Sequence, residues 1–235
     1  MSRDSAAVLL AAGLGNRLGR GNKALIELHG EPLLAWSLRA IQACVRVQQI
    51  VLVMDTPSLQ ELESQWDLTP NKLSVDKVVD GGAERWLSSR NGCLATDPNC
   101  KLVFVHDTAR ALLETETVSE VLNFAHESGS ALAAEPLADT LKRMGPEHRV
   151  VETVARESMW RAQTPQAAKR ELMLEAFHAW PADGSAPTDE AMLLEAAGHH
   201  PVLVPSPSSN FKITTESDLE LAQNILAARN TPTNA

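Results

Sequence analysis

An apolar run, Val8-Leu9-Leu10-Ala11-Ala12, leads directly into Gly13-Leu14-Gly15-Asn16-Arg17-Leu18-Gly19-Arg20-Gly21-Asn22-Lys23. Glycines let a backbone bring its N–H groups close to a bound anion. Arg17 and Arg20 can clamp phosphate oxygens in a bidentate fork, and Lys23 adds a mobile point charge. The chemistry these types suit is the holding of phosphates. Neither common phosphate loop is present. A dinucleotide fingerprint requires glycine where Leu18 stands, and a Walker A loop requires Ser or Thr after the lysine, where this chain has Ala24. A polar surface loop with chance cations is the plain alternative.

Two further clusters follow apolar runs: Asp80-Gly81-Gly82-Ala83-Glu84-Arg85 and His106-Asp107-Thr108-Ala109-Arg110. Gly81-Gly82 can be read simply as a turn, and Asp107 with Arg110 as a salt bridge. The elements between the clusters argue for more. Strands are expected at Ala6–Ala11, Ile50–Met54, Lys77–Val79, Leu102–His106 and Val202–Val204. Helices are expected at Leu33–Ala43, from Thr56-Pro57 with Thr56 as cap, at Glu84–Cys93, at Thr117–Glu127 with a Thr117/Glu120 capping box, and at Lys169–Ala179, Asp189–Ala197 and Glu216–Ala228. Such alternation predicts an α/β fold, a mostly parallel sheet with helices on both faces. Ligands of such sheets bind beyond the carboxyl ends of the strands, where all three clusters fall.

The 235 residues suffice for a single domain, expected here over 1–235, and a 44% hydrophobic, 22% charged composition is that of an ordinary globular chain. No apolar run has the length of a membrane span and no signal peptide is visible, so a cytoplasmic location is expected. Cys44, Cys93 and Cys100 show no metal-ligand spacing and read as reduced structural thiols. The net charge of −9 argues against nucleic acid and anionic membranes as partners, so an anionic ligand needs a local basic pocket.

Leu137–Glu157 breaks the rhythm. Asp139-Thr140-Leu141-Lys142-Arg143-Met144 and Arg149-Val150-Val151 flank the polar Gly145-Pro146-Glu147-His148, which predicts a protruding β-hairpin arm. An isolated hairpin is marginal in water, so a second copy is expected to cover it, making a homodimer.

Taken together, the motifs resemble the 2-C-methyl-D-erythritol 4-phosphate cytidylyltransferases of the non-mevalonate isoprenoid pathway. The resemblance runs from Ala6 to about Ala228. To the loops above it adds Ser88, Trp160-Arg161-Ala162-Gln163-Thr164-Pro165-Gln166, Thr188-Asp189-Glu190-Ala191 and Asn210-Phe211-Lys212-Ile213-Thr214. It implies a Rossmann-like nucleotidyltransferase fold and a dimerisation arm. It also implies transfer of CMP from CTP to the sugar-alcohol phosphate with release of pyrophosphate. Ala11, Ala12, Gly13, Gly15, Gly82 and Ser88 would then form the nucleotide pocket. Arg17 and Lys23 would hold the triphosphate, and Asp107 would sit by Mg²⁺. Arg110, Thr140 and Thr188 would serve the acceptor, while Arg156 and Lys212 would position its phosphate, with Thr140 and Arg156 reaching in from the other copy's arm.

This chemistry needs no general base, because a phosphomonoester with a second pKa near about 6 is already largely ionised at neutral pH. The barrier lies in aligning two anions and stabilising the charge on the transferring group. His106 is therefore expected to be structural, and Ser88 not to be a nucleophile. Several positions depart from the family pattern: Asn22, where proline commonly precedes the lysine, Ala111, and Ser208-Ser209, where an acidic residue can stand. Asn22 predicts a more mobile loop and a less preorganised Lys23. The rival readings are a ribitol-5-phosphate cytidylyltransferase, a nicotinamide-dependent dehydrogenase and a non-catalytic scaffold.

Overall fold

The structure, a computed structural model, describes residues 3–13, 21–181 and 184–230. In chain order its elements are β1 (Ser5–Leu10), β2 (Glu27–Leu28), β3 (Glu31–Pro32), α1 (Leu33–Gln42), β4 (Val47–Val53), α2 (Thr56–Trp66), β5 (Lys77–Val79), α3 (Arg85–Leu94), β6 (Leu102–Asp107) and α4 (Thr115–Ser128). They continue with β7 (Ser130–Pro136), β8 (Leu141–Met144), β9 (Val150–Val154), β10 (Trp160–Lys169), α5 (Arg170–Ala179), α6 (Glu190–Ala196), β11 (Val202–Pro205) and α7 (Glu216–Asn230).

Seven strands form one sheet in the order β11-β7-β10-β6-β1-β4-β5. All neighbouring pairs are parallel except those that β10 makes with β6 and β7. Alternate residues of the central strands face opposite layers, which is why both faces read as apolar. Leu9, Leu52 and Phe104 pack beneath Leu38 and Ile41 of α1, Leu62 of α2 and Val121 and Leu122 of α4. Val8, Val51, Val53, Val103 and Val105 meet Cys93 of α3, Met173 and Phe177 of α5 and Leu193 of α6 on the other side. Gly92 of α3 lies so close to the sheet that a Cβ there would come within 2.3 Å of Val8 Cγ1. The mostly parallel α/β sheet expected from the sequence is therefore present. The three cysteines are buried thiols.

Local signals were less faithful. Thr56 is the first helical residue of α2 and Asp55 is its cap, accepting from the Ser58 N–H at 2.9 Å. The Thr117/Glu120 box does not cap α4, which starts two residues earlier with Glu114 at the cap position and buries Thr117. The largest omission is β10, whose sequence Trp-Arg-Ala-Gln-Thr-Pro-Gln-Ala-Ala-Lys has neither alternation nor a proline-free core. Its register breaks between Ala162 and Gln166, around a cis Thr164-Pro165 bond.

The hairpin expected at Leu137–Glu157 is β8 paired with β9, Leu141 opposite Val154 and Met144 opposite Val150. Neither strand buries a residue, and Met144, Val150 and Val151 are exposed apolar side chains. At its base Pro136 pairs with Trp160, and the Leu137 N–H donates to the Met159 carbonyl at 3.0 Å.

Candidate active site

The ends of β1 and β6, the loop between β5 and α3, and Lys212 enclose a cavity of about 480 Å³. Ala11, Ala12 and Gly13 line it directly after β1, with Lys23 on the chain that returns from the glycine-rich loop. Gly82 and Ser88 line the facing wall. The Gly82 N–H donates to Ser88 Oγ at 2.9 Å, and that hydroxyl donates to the Glu84 carbonyl at 3.2 Å, so Ser88 organises the loop. Among the described residues no basic side chain is bonded to that hydroxyl. Gly81-Gly82 is more than a turn. A Cβ on Gly81 would lie 2.6 Å from Ala12 Cβ, and one on Gly82 would lie 2.3 Å from Leu87 Cβ, so only glycine lets this loop close against β1 and α3.

Asp107, at the carboxyl end of β6, is buried and doubly paired. Its Oδ1 accepts from Arg85 Nε at 3.1 Å and its Oδ2 from Lys212 Nζ at 2.7 Å. Burial alone would raise its pKa, but the facing Arg85 and Lys212 charges hold it well below the usual carboxylate range. Arg85 is anchored in turn by Glu190, which is fully buried and accepts from Nη1 at 2.8 Å and Nη2 at 3.1 Å. Burial disfavours the Arg85 charge, yet Glu190 and Asp107 together raise its pKa.

Arg85, Asp107 and Lys212 are also the wall of a second cavity of about 170 Å³, whose other side carries Arg110, Gln163, Thr164, Thr188 and Asp189. Arg110 does not pair with Asp107. Its Nη1 donates to the Asn210 carbonyl at 2.8 Å, and its buried Nε has no partner among the described residues. Asp189 caps α6 and accepts from Gln166 Nε2, while Gln166 Oε1 accepts from the Ala191 N–H. His106 is wholly buried, its Nδ1 3.1 Å from Thr164 Oγ1 and its Nε2 3.3 Å from the Arg110 carbonyl. Desolvation pushes its pKa down to about 4, against the smaller opposing pull of Asp107. Both ring nitrogens are engaged by the fold, which supports the structural role expected from the sequence.

Among the expected site residues, Ala11, Ala12, Gly13, Lys23, Gly82, Ser88, Asp107 and Lys212 thus converge on the larger cavity, and Arg110 and Thr188 on the smaller. Gly15 and Arg17 lie outside the described residues. Thr140 and Arg156 belong to the arm and line neither cavity, and the Arg156 guanidinium donates to the Ala138 carbonyl. Sequence reasoning gave no role to Arg85, Glu190, Thr164 or Gln166. The available signal was Glu190, a carboxylate followed by the apolar Ala191-Met192-Leu193-Leu194, which must find a cation if it is buried. The more mobile loop expected from Asn22 lies outside the described residues; against a less preorganised Lys23 stands the Asn22 amide, which is buried and bonded at both ends.

A family model, IspD: 2-C-methyl-D-erythritol 4-phosphate cytidylyltransferase, matches residues 5–228. The chain belongs to the 2-C-methyl-D-erythritol 4-phosphate cytidylyltransferase family. A relative of that name from Alkaliphilus oremlandii is 36% identical over 94% of both chains. The crystal structure of the enzyme so named from Thermus thermophilus superposes with a TM-score of 0.77 at 30% identity, covering 94% of this chain and 98% of that one. The 4-diphosphocytidyl-2C-methyl-D-erythritol synthase from Anaerococcus prevotii gives 0.81 at 25% identity, covering 96% and 99%. Family and fold together make this chain a cytidylyltransferase with the Rossmann-like architecture of its relatives.

Among the described residues no three His, Cys, Asp or Glu side chains are placed to share a metal ion. An all-protein metal cage is therefore absent from them. Mg²⁺ commonly takes one or two carboxylates and completes its shell with substrate phosphates and water; Asp107 is the carboxylate that lines both cavities, and each of its oxygens already accepts from a cation, Arg85 or Lys212.

Proposed function

We propose that this chain transfers CMP from CTP to 2-C-methyl-D-erythritol 4-phosphate, giving 4-diphosphocytidyl-2-C-methyl-D-erythritol and pyrophosphate. The observation that carries this reading is the wall formed by Arg85, Asp107 and Lys212, which the larger and smaller cavities share. Two anionic substrates placed on either side of that wall would meet across it. In this reading the backbone of Ala11, Ala12 and Gly13, with Gly82 and Ser88, receives the cytidine. Lys23 and Arg17 hold the triphosphate. Lys212 lies on the path between the two phosphates. Arg110, with a spare buried N–H, and Thr188 receive the polyol.

The acceptor's phosphate oxygen attacks the α-phosphorus of CTP, the bond to the β-phosphate breaks, and pyrophosphate leaves with its electron pair. No proton need be removed, since the attacking monoester is already ionised. Mg²⁺ is the cofactor of this reading: Asp107 would be the residue to hold it, and it would supply neutralisation of the phosphate charge. The protein's share is fixed positive charge: Lys23 and Lys212, with Arg17, act where charge develops, and Arg85, held by Glu190 and Asp107, fixes the wall behind them.

Thr140 and Arg156 complete the site only across a homodimer, each copy's arm reaching the other copy. Their position on an arm with exposed Met144, Val150 and Val151, away from both cavities of their own copy, supports this. We place the enzyme in the cytoplasm, acting as one nucleotidyltransferase domain with no nucleic-acid or membrane partner. No helix among the described residues is long and apolar enough to cross a membrane.

The test is pyrophosphate release from CTP and Mg²⁺ with either 2-C-methyl-D-erythritol 4-phosphate or ribitol 5-phosphate. Release with the first alone is expected. Release with the second alone overturns the acceptor, and release with neither overturns the reaction.

A further inference from the structure

Asn22 is nearly inaccessible, and it ends the glycine-rich loop one residue before Lys23. Its Nδ2 donates to the Ala11 carbonyl at 2.7 Å, and its Oδ1 accepts from the Ala24 N–H at 2.9 Å. Both partners are themselves fixed. The Ala11 N–H donates to the Val53 carbonyl of β4 at 2.9 Å, and Ala24 lies in a short 3₁₀ turn, Lys23–Leu25, closed by the Leu25 N–H on the Asn22 carbonyl at 3.1 Å. Between the two ties, the Lys23 N–H donates to the Gly13 carbonyl at 3.3 Å, and its ammonium reaches the Ile213 carbonyl, beside Lys212.

We infer that Asn22 is a positioning residue for the reaction: its side-chain amide staples the end of β1 to the turn that carries Lys23, and thereby sets the root of that lysine against the nucleotide wall. The inference rests on the reaction proposed above. A lysine ammonium rides on a flexible four-carbon stem, so its placement on a phosphate is only as good as the placement of its backbone. The staple joins residues 11 and 22 directly, and so fixes both ends of the glycine-rich segment independently of what lies between. Only a side chain of this length with one donor and one acceptor can serve. Aspartate would set a carboxylate oxygen against the Ala11 carbonyl, and leucine, of similar shape, would leave that carbonyl and the Ala24 N–H without their partner. The backbone at Asn22, φ −69° and ψ 123°, is one that proline adopts without strain, and the preceding Gly21, at φ 75°, is free of the Cβ that a following proline crowds. Proline would therefore hold the same root by its ring in place of the two hydrogen bonds.

The experiment compares wild type, Asn22→Leu, Asn22→Asp and Asn22→Pro for pyrophosphate release, thermal melting and Mg²⁺–CTP affinity by calorimetry. Asn22→Leu and Asn22→Asp are expected to lower kcat on the order of tenfold to a hundredfold, the scale of a misplaced charged group, with the KM for the acceptor unchanged. Asn22→Pro is expected to recover most of that loss. In a Lys23→Ala background, Asn22→Leu is expected to weaken CTP no further, because the staple acts through the lysine. Four results would overturn the inference: kcat unchanged in Asn22→Leu or Asn22→Asp, a change confined to melting temperature, no recovery with Asn22→Pro, or an equal loss of CTP affinity with and without Lys23. An inactive wild type with both acceptors would count against the proposed reaction instead, and the CTP-affinity cycle would still decide the staple.

Discussion

Arg85 and Glu190 face each other through two parallel hydrogen bonds, 2.8 and 3.1 Å long, and the carboxylate has no access to solvent. The remaining edge of the same guanidinium reaches Asp107. A buried carboxylate thus reaches the site through one arginine, which cannot turn towards a substrate without abandoning it. Removing Glu190 takes two charged hydrogen bonds from Arg85 and leaves Asp107 to face it. Glu190→Ala is expected to lose about 1.5–3 kcal/mol of stability and to lower kcat by loosening Arg85. Urea denaturation together with turnover measures both, and an unaltered midpoint would contradict the anchoring role.

His106 makes stability depend on pH. Its folded pKa is near 4, below the value of about 6.5 for an unfolded histidine. Above the higher value both states are neutral and nothing is lost. As pH falls through this window the unfolded chain takes up the proton first, so stability declines, by up to about 3 kcal/mol once pH 4 is reached. His106→Gln is expected to flatten the slope of unfolding free energy between pH 6.5 and 4. An identical slope in the variant would assign it to other groups.

Gly92 is a packing position remote from the chemistry. A methyl group there meets Val8 and Val53 side chains at 2.3 and 2.8 Å, forcing α3 away from the sheet. Gly92→Ala is expected to destabilise by about 1–3 kcal/mol despite alanine's better helix propensity. Calorimetry checks it. A raised melting temperature would mean that α3 shifts freely.

The cations can be separated by which substrate they serve. Lys23→Ala and Arg17→Ala are each expected to lower kcat by at least about a hundredfold. Arg156→Ala is expected to act mainly on use of the acceptor, and unchanged acceptor kinetics would remove it from the site. Near-normal turnover in both of the first two variants would remove those residues from the mechanism.

Much of the sheet was legible because parallel strands buried on both faces read as short apolar runs, as in Ser5–Leu10 and Leu102–Asp107. Lys23 and Arg110 drew notice because their loops follow those runs, whereas Lys212 came only through the family resemblance. Strand β10 was not. Its Gln163, Thr164 and Gln166 are buried by tertiary hydrogen bonds to Asn210, His106 and Asp189, partners that are distant in sequence and carry no local period. Arg85 stood in a recognised motif, but its role depends on Glu190, 105 residues away. Asn22 misled for a related reason. Judged as a residue without proline's ring, it suggests freedom, whereas its two hydrogen bonds supply the constraint by other means.

The closed base of the arm has a consequence for how this molecule can vary. Pro136 and Trp160 are cross-strand neighbours in the main sheet, so the chain leaves for β8 and returns from β9 through a single gate. A tight turn joining those two residues is expected to leave the seven-strand register intact, yielding a folded monomer with little activity, which light scattering and turnover would check. If that outcome holds, the arm is a separable part: apart from Thr140 and Arg156, residues 137–159 would be free to diverge or lengthen without disturbing the main sheet.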